Sequence, residues 1–157
     1  MEEHLSNLSN LLNLPGVAVQ SCHCVENSVY FNLNIFAIGI NCQHCWQYTE
    51  ELHQVRPIIV RDLPAFGKQV YLNLPRRQFY CRYCQRYITE QLEFINWRRK
   101  YTKRYEQSVY YQVNTSSVEQ VSKQENLGID QVRNIINNFT HRRECKQQLC
   151  VTRLEYH

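Results

Sequence analysis

The chain has 157 residues, eight of them cysteines, and a formal net charge of +4. That length supports one ordinary domain or two small ones. No stretch approaches the roughly 20 apolar residues of a membrane span, and the acidic opening MEEHLSNLSNLLNLPG lacks the basic start of a secretory signal. A cytosolic location is the expectation, and in a reducing cytosol cysteines serve as metal ligands more readily than as a disulfide framework.

In chain order, Leu5, Leu8 and Leu12 recur at helical spacing and predict a short amphipathic helix ended by Pro15-Gly16. Val17 and Val19, then Val29, Phe31, Leu33 and Ile35, alternate with polar residues and predict two strands joined at Asn27-Ser28. Val70, Leu72 and Leu74 alternate again, so the stretch between Cys45 and Cys81 reads as a hairpin turning at Pro64 and Gly67. A helix is expected from Thr102. Ser117 with Gln120 three residues on resembles a capping box for a second helix over 118–125. Asp130 is a candidate N-cap for a third helix over 131–142.

The main chemical signal is a pair of C-x-x-C knuckles, Cys42/Cys45 and Cys81/Cys84, separated by residues 46–80. A hairpin between them would bring four thiolates to one ion, which suits a closed tetrahedral zinc site and leaves no position for water. Such a site is structural, and its binding free energy is folding free energy. Arg76, Arg77, Arg82 and Arg86 surround the second knuckle and are expected to offset the site's negative charge and donate to it. His44 lies inside the first knuckle as an unneeded alternative ligand. Cys22 and Cys24 share one face of a predicted strand and read as packing residues. Cys145 and Cys150 have no evident partners.

Charge is unevenly distributed. Residues 95–146 hold ten Lys/Arg and five acids, so the rest of the chain is nearly neutral. On the third predicted helix, Val132, Ile135, Ile136 and Phe139 form an apolar stripe. Arg133, Asn134, Asn137 and His141 fall opposite or beside it, flanked by Gln131 and Asn138. Asn and Gln pair with adenine and Arg with guanine in a major groove, so this helix reads as the second of a helix-turn-helix. The turn QENLGID carries about two residues more than the compact form of that motif. Arg98, Arg99, Lys100, Lys103 and Arg104 before the bundle, and Arg142 and Arg143 after the recognition face, supply phosphate contacts. A solvated basic face with no ligand is the bland alternative.

The order of these features resembles the N-terminal part of bacterial insertion-sequence transposases of the ISL-three type. The residues that carry the resemblance are CQHC at 42–45, Asp62-Leu63-Pro64, Gly67-Lys68, Arg76-Arg77, Phe79 and CRYC at 81–84. It implies one structural zinc on Cys42, Cys45, Cys81 and Cys84, and a helical module that binds the element's terminal inverted repeats in double-stranded DNA. It also implies a bacterial, nucleoid-associated protein that associates with itself or with intact transposase. Trp46 stands where the family often has Gly, a departure expected to reshape that turn.

The expected fold class is α+β. A short N-terminal helix (1–16) precedes a β-rich zinc-ribbon domain (17–94), a basic three-helix module (95–146) and a tail (147–157) at the start of a truncated catalytic domain. With two Asp in the chain, Asp62 and Asp130, there is no spare pair for two-metal strand transfer. The expected product is a DNA-binding fragment and not an enzyme. Two other readings stay open here: a zinc-ribbon interaction protein that binds RNA or a protein partner, and a C-x-x-C oxidoreductase.

Overall fold

The computed structural model describes residues 2–155, with side chains through Gln148. The chain is α+β and divides into two compact units, Met1–Thr102 and Lys103–His157. Cys150 and the tail beyond it lie outside the described side chains.

In the first unit, α1 (Glu2–Leu12) precedes β1 (Val17–Val25), β2 (Ser28–Ile35), β3 (Ile40–Asn41), β4 (Tyr48–Thr49), β5 (Leu52–Ala65), β6 (Lys68–Cys81) and β7 (Arg86–Thr89). The larger sheet runs in the order β1-β2-β6-β5, with β7 added to β6, and β3 pairs with β4 in a separate two-stranded sheet. Every pairing is antiparallel except β2 with β6, which is parallel from Ser28↔Gln69 to Asn32↔Asn73. The alternation read from sequence sets the sheet's inner face: Val17, Val19, Leu33, Ile35, Val60, Val70, Leu72 and Leu74 are buried in one cluster with Phe94 and Ile95. Leu5, Leu8 and Leu12 of α1 pack against that cluster.

The β5–β6 turn falls at Phe66-Gly67, both with positive φ (53° and 74°), as the two-residue hairpin geometry demands. Pro64 belongs to the end of β5 and not to the turn. Residues 95–102 pack with the sheet: Arg61 N–H donates to the Lys100 carbonyl, Thr102 N–H donates to the Arg61 carbonyl, and Thr102 Oγ1 donates to Asp62 at 2.7 Å. Asp62 and Thr102 are both buried.

The second unit comprises α2 (Lys103–Thr115), α3 (Val118–Glu125) and α4 (Ile129–Glu155). Ser117 caps α3 as the sequence predicts, its side chain accepting from Gln120 N–H at 3.1 Å. Asn126 ends α3 in the left-handed conformation (φ 52°, ψ 49°), which Asn tolerates better than most residues. Three expectations change here. The α3–α4 turn is only Asn126, Leu127 and Gly128, so the motif is compact and carries no extra residues. Asp130 lies inside the first turn of α4. Gln131 Oε1 reaches back to accept from Gly128 N–H at 2.8 Å, and that side chain closes the helix start. The helix also continues well past residue 142.

Among the described residues of this unit, Tyr105, Val109, Val121, Leu127, Val132 and Ile135 are the buried apolar ones. Glu125 is buried among them and accepts from Tyr105 Oη and from Gln112 Nε2, each at 3.0 Å. That pairing ties the end of α3 to α2 and meets the requirement that a buried carboxylate be hydrogen-bonded.

Candidate metal centre and nucleic-acid interface

The four knuckle cysteines converge. Their sulfurs all lie within 4.8 Å of one another, with Cys42 3.5 Å from Cys84 and Cys45 3.4 Å from Cys81. Tetrahedral zinc bound by four thiolates at about 2.3 Å would set sulfur–sulfur edges of about 3.8 Å. The cluster fits that geometry with sub-ångström adjustment, and no other group of three or more ligand-bearing residues occurs among the described residues. Cys42 and Cys81 are buried and Cys45 and Cys84 half-buried, an arrangement that leaves no open coordination position for catalysis.

Local backbone geometry builds the site. In the first knuckle, Trp46 N–H donates to the Cys42 carbonyl at 2.9 Å, Cys42 N–H donates to the Gln47 carbonyl at 2.8 Å, and His44 N–H points at Cys42 Sγ at 3.4 Å. Both knuckles end on a residue in left-handed conformation immediately after the second cysteine: Trp46 (φ 63°) and Gln85 (φ 57°). Trp46 adopts the conformation glycine would favour, at the steric cost any L-residue bears there, with its ring 79% exposed. Gly39 precedes the knuckle where a Cβ would stand 2.3 Å from the Thr49 carbonyl oxygen, so the β3–β4 approach requires glycine.

The thiols differ in acidity before any metal enters. Burial opposes ionisation of Cys42, but hydrogen bonds from the backbone of Cys45 and His44 and from the Cys84 and Cys45 thiols bring it down to about 6. Burial, then hydrogen bonds to the Cys42, Cys81 and Cys45 thiols, push Cys84 up to about 12. Because zinc takes thiolates, metal uptake at this cluster releases protons.

Three of the four arginines around the second knuckle direct their hydrogen bonds elsewhere than to the sulfurs. Arg77 is clamped to Glu90 by two bonds (2.8 and 2.6 Å) and donates to the Ala37 carbonyl at 2.7 Å. Arg82 pairs with Glu51 at 2.7 Å, and Arg86 meets His44 Nδ1 at 3.0 Å. Their partners are carboxylates, a carbonyl and an imidazole. The hydrogen bonds directed at the Cys42 sulfur come instead from the backbones of Cys45 and His44, which residue-type reading could not show. Cys22 and Cys24 are also not packing residues, since both are exposed.

In the helical unit, α4 turns Val132 and Ile135 inward, with Ile136 and Phe139 half-buried beside them. Phe139 packs on Tyr110 at 4.5 Å between centroids. Arg133, Asn134, Asn137 and His141 are exposed, on the turns expected to face a groove. Gln131 and Asn138 are both engaged: the first caps α4, and the second is half-buried and accepts from Arg142 Nε at 3.1 Å. Arg143 lies over Tyr110 at 5.8 Å. Lys103 is exposed and Arg104 half-buried at the start of α2. Arg98, Arg99 and Lys100 belong to the first unit, with Arg98 over Trp97 and Arg99 over Tyr101.

A tetrathiolate ribbon joined in one chain to a compact helix-turn-helix defines a class of metal-stabilised DNA-binding modules. Residues 39–84 match the sequence family described as the zinc-finger of transposase IS204/IS1001/IS1096/IS1165, and residues 90–140 match the helix-turn-helix domain of transposase family ISL3. A relative, the transposase for insertion sequence element IS1001 of Bordetella parapertussis, is 29% identical over 94 residues, which is 60% of this chain and 23% of that protein. No solved structure matches. Two successive segments of the chain thus match the N-terminal zinc-ribbon and helix-turn-helix families of ISL3 transposases, and one structural zinc ion fits the cysteine cluster. It spans about a quarter of the length of the curated relative it matches. No described helix is long and apolar enough to cross a membrane.

Proposed function

We propose that this stretch of chain recognises the terminal inverted repeats of an insertion element, with α4 in the major groove and zinc holding the ribbon in shape. The observation that carries the reading is the compact α3–turn–α4 unit, whose apolar stripe is packed inward while Arg133, Asn134 and Asn137 face outward. Arg133, Asn134 and Asn137 read base edges. Lys103, Arg104, Arg142 and Arg143, with Arg98, Arg99 and Lys100 from the other unit, hold phosphates. Gln131 and Asn138 act mainly by fixing α4 and Arg142, and contribute to contact through their remaining polar atoms.

In this reading the chain binds ends without cutting or joining them. Asp62 is buried against Thr102 and Asp130 is exposed at the start of α4, so neither belongs to a carboxylate cluster of the kind two-metal chemistry uses. The protein works in the bacterial cytoplasm on nucleoid DNA, alone or beside intact transposase, whose ends it occupies. Selection of binding sites from random duplexes tests the assignment. The doubly substituted Asn134→Ala/Asn137→Ala chain should lose about 1–3 kcal/mol of discrimination per base contact, whereas Arg142→Ala should weaken all sequences alike and reduce the salt dependence. Unchanged preference in the double variant would sink the groove assignment.

A further inference from the structure

The sheet of the first unit has two edges, and the chain treats them differently. On one edge, β5 carries Arg56, Pro57 and Pro64, and its far end is covered by the bonds between Arg61 and residues 100–102. Proline withholds a ladder donor and charge repels an incoming strand, which are ordinary protections of an exposed edge. On the other edge, β1 is protected only at its start, where Val19 N–H donates to Ser9 Oγ of α1 at 2.8 Å. A bulge between Val19 and Ser21 follows. Ser21–Val25 then run on in regular register, all exposed, with no proline and no charge.

The bonding pattern along β1 says which groups face outward. The two-residue turn pairs Val25 with Ser28, so alternation directs the backbone of Val25, His23 and Ser21 inward to β2 and leaves that of Cys22 and Cys24 toward the open edge. Among the described residues no strand pairs there. The side chains alternate too: His23 stacks on Tyr30 at 5.2 Å, and Tyr30 on Tyr71 at 5.1 Å, across three strands. That stack holds the imidazole on one face of the sheet and leaves both thiols on the other.

We propose that the Ser21–Val25 edge pairs antiparallel with the same edge of a second copy of this chain, in twofold register centred on His23. A twofold contact sets a strand against itself, so a charged edge would repel its own copy, and this neutral one does not. His23 is the midpoint of the regular stretch. Centring there sets Cys22 opposite Cys24 of the second copy, twice over, and lets the outward N–H and C=O groups of both satisfy each other. The surface locates the self-association suggested above, and it stands independently of the DNA assignment. A seam this short makes a weak, concentration-dependent dimer.

Sedimentation velocity of the zinc-loaded full chain, under reducing conditions and over a range of concentrations, tests the seam. A monomer–dimer equilibrium is expected, and Cys22→Lys/Cys24→Lys, which sets four ammonium groups along the seam, should weaken it by at least about tenfold. Zinc content in that variant should stay at one per chain, showing that it folds. In the unsubstituted chain a short bis-maleimide should join Cys22 to Cys24 of the second copy, identified by peptide mapping. A monomer at every concentration, a dimer indifferent to the lysines, or cross-links that avoid these two residues would each overturn the proposal. A monomer that still selects inverted repeats would leave the DNA reading standing, and a lysine-sensitive dimer that selects none would remove only that reading.

Discussion

The ribbon tip and the helical unit are held by different means. Around the knuckles the buried cluster is Cys42, Cys81 and Ile88, with Ile40, Cys45 and Cys84 against it. Four of those six residues are the thiols themselves, so there is almost no apolar core to fall back on. The helical unit buries Tyr105, Val109, Val121, Leu127, Val132 and Ile135 with no metal cluster among its described residues. The first is a coordination structure and the second a packing structure. The contrast predicts that the helical unit keeps its fold when metal is withdrawn and that the ribbon tip does not.

The sharpest way to break that contrast is Cys81→Ser. Structural zinc contributes on the order of 10 kcal/mol in small modules, so zinc analysis should show metal loss, and hydrogen exchange should show residues 40–49 and 81–89 unprotected. Protection in α2–α4 should persist, and its loss would show that the two units stand or fall together. Next in size is Ile135→Ala, which opens a cavity under α4 and should cost about 2–5 kcal/mol in denaturant unfolding of the helical unit. Zinc stoichiometry should not change. The smallest effect sharpens the account of the knuckle itself: Trp46→Gly removes left-handed strain while giving up little packing, since the ring is mostly exposed. A gain of about 1 kcal/mol is expected, read as resistance of bound zinc to a competing chelator.

Much of this was legible in the sequence because it rests on local chemistry. The knuckle spacing, the alternation at Val70, Leu72 and Leu74, and the Ser117 cap each act within a few residues. What was not legible depends on backbone conformation or on distant neighbours. QENLGID looked too long for a compact turn because Gln124 and Glu125 still belong to α3 and Ile129 already belongs to α4. Asp130 is a good cap by type, yet Gly128 and Gln131 close the helix one step earlier. Cys22 and Cys24 sit in register with the core-facing side of β1, but the strand lies at the edge of the sheet and, among the described residues, nothing buries them. The arginines near the second knuckle found carboxylates that sequence proximity did not reveal, Glu90 and Glu51.

The parallel pairing of β2 with β6 has a consequence for the order of folding. The β1–β2 and β5–β6 hairpins close short loops, whereas joining β2 to β6 brings together residues such as Asn32 and Asn73, 41 positions apart. Closing a loop of that length costs about 3 kcal/mol in chain entropy before any contact repays it. The paired sulfurs lie 42 and 36 positions apart in sequence, so zinc closes nearly the same loop at the opposite end of β6. Metal capture and the parallel pairing therefore share one entropic cost, and whichever forms first makes the other nearly local. In this chain the ion is as much a folding chaperone for the central strand as a clamp on the tip.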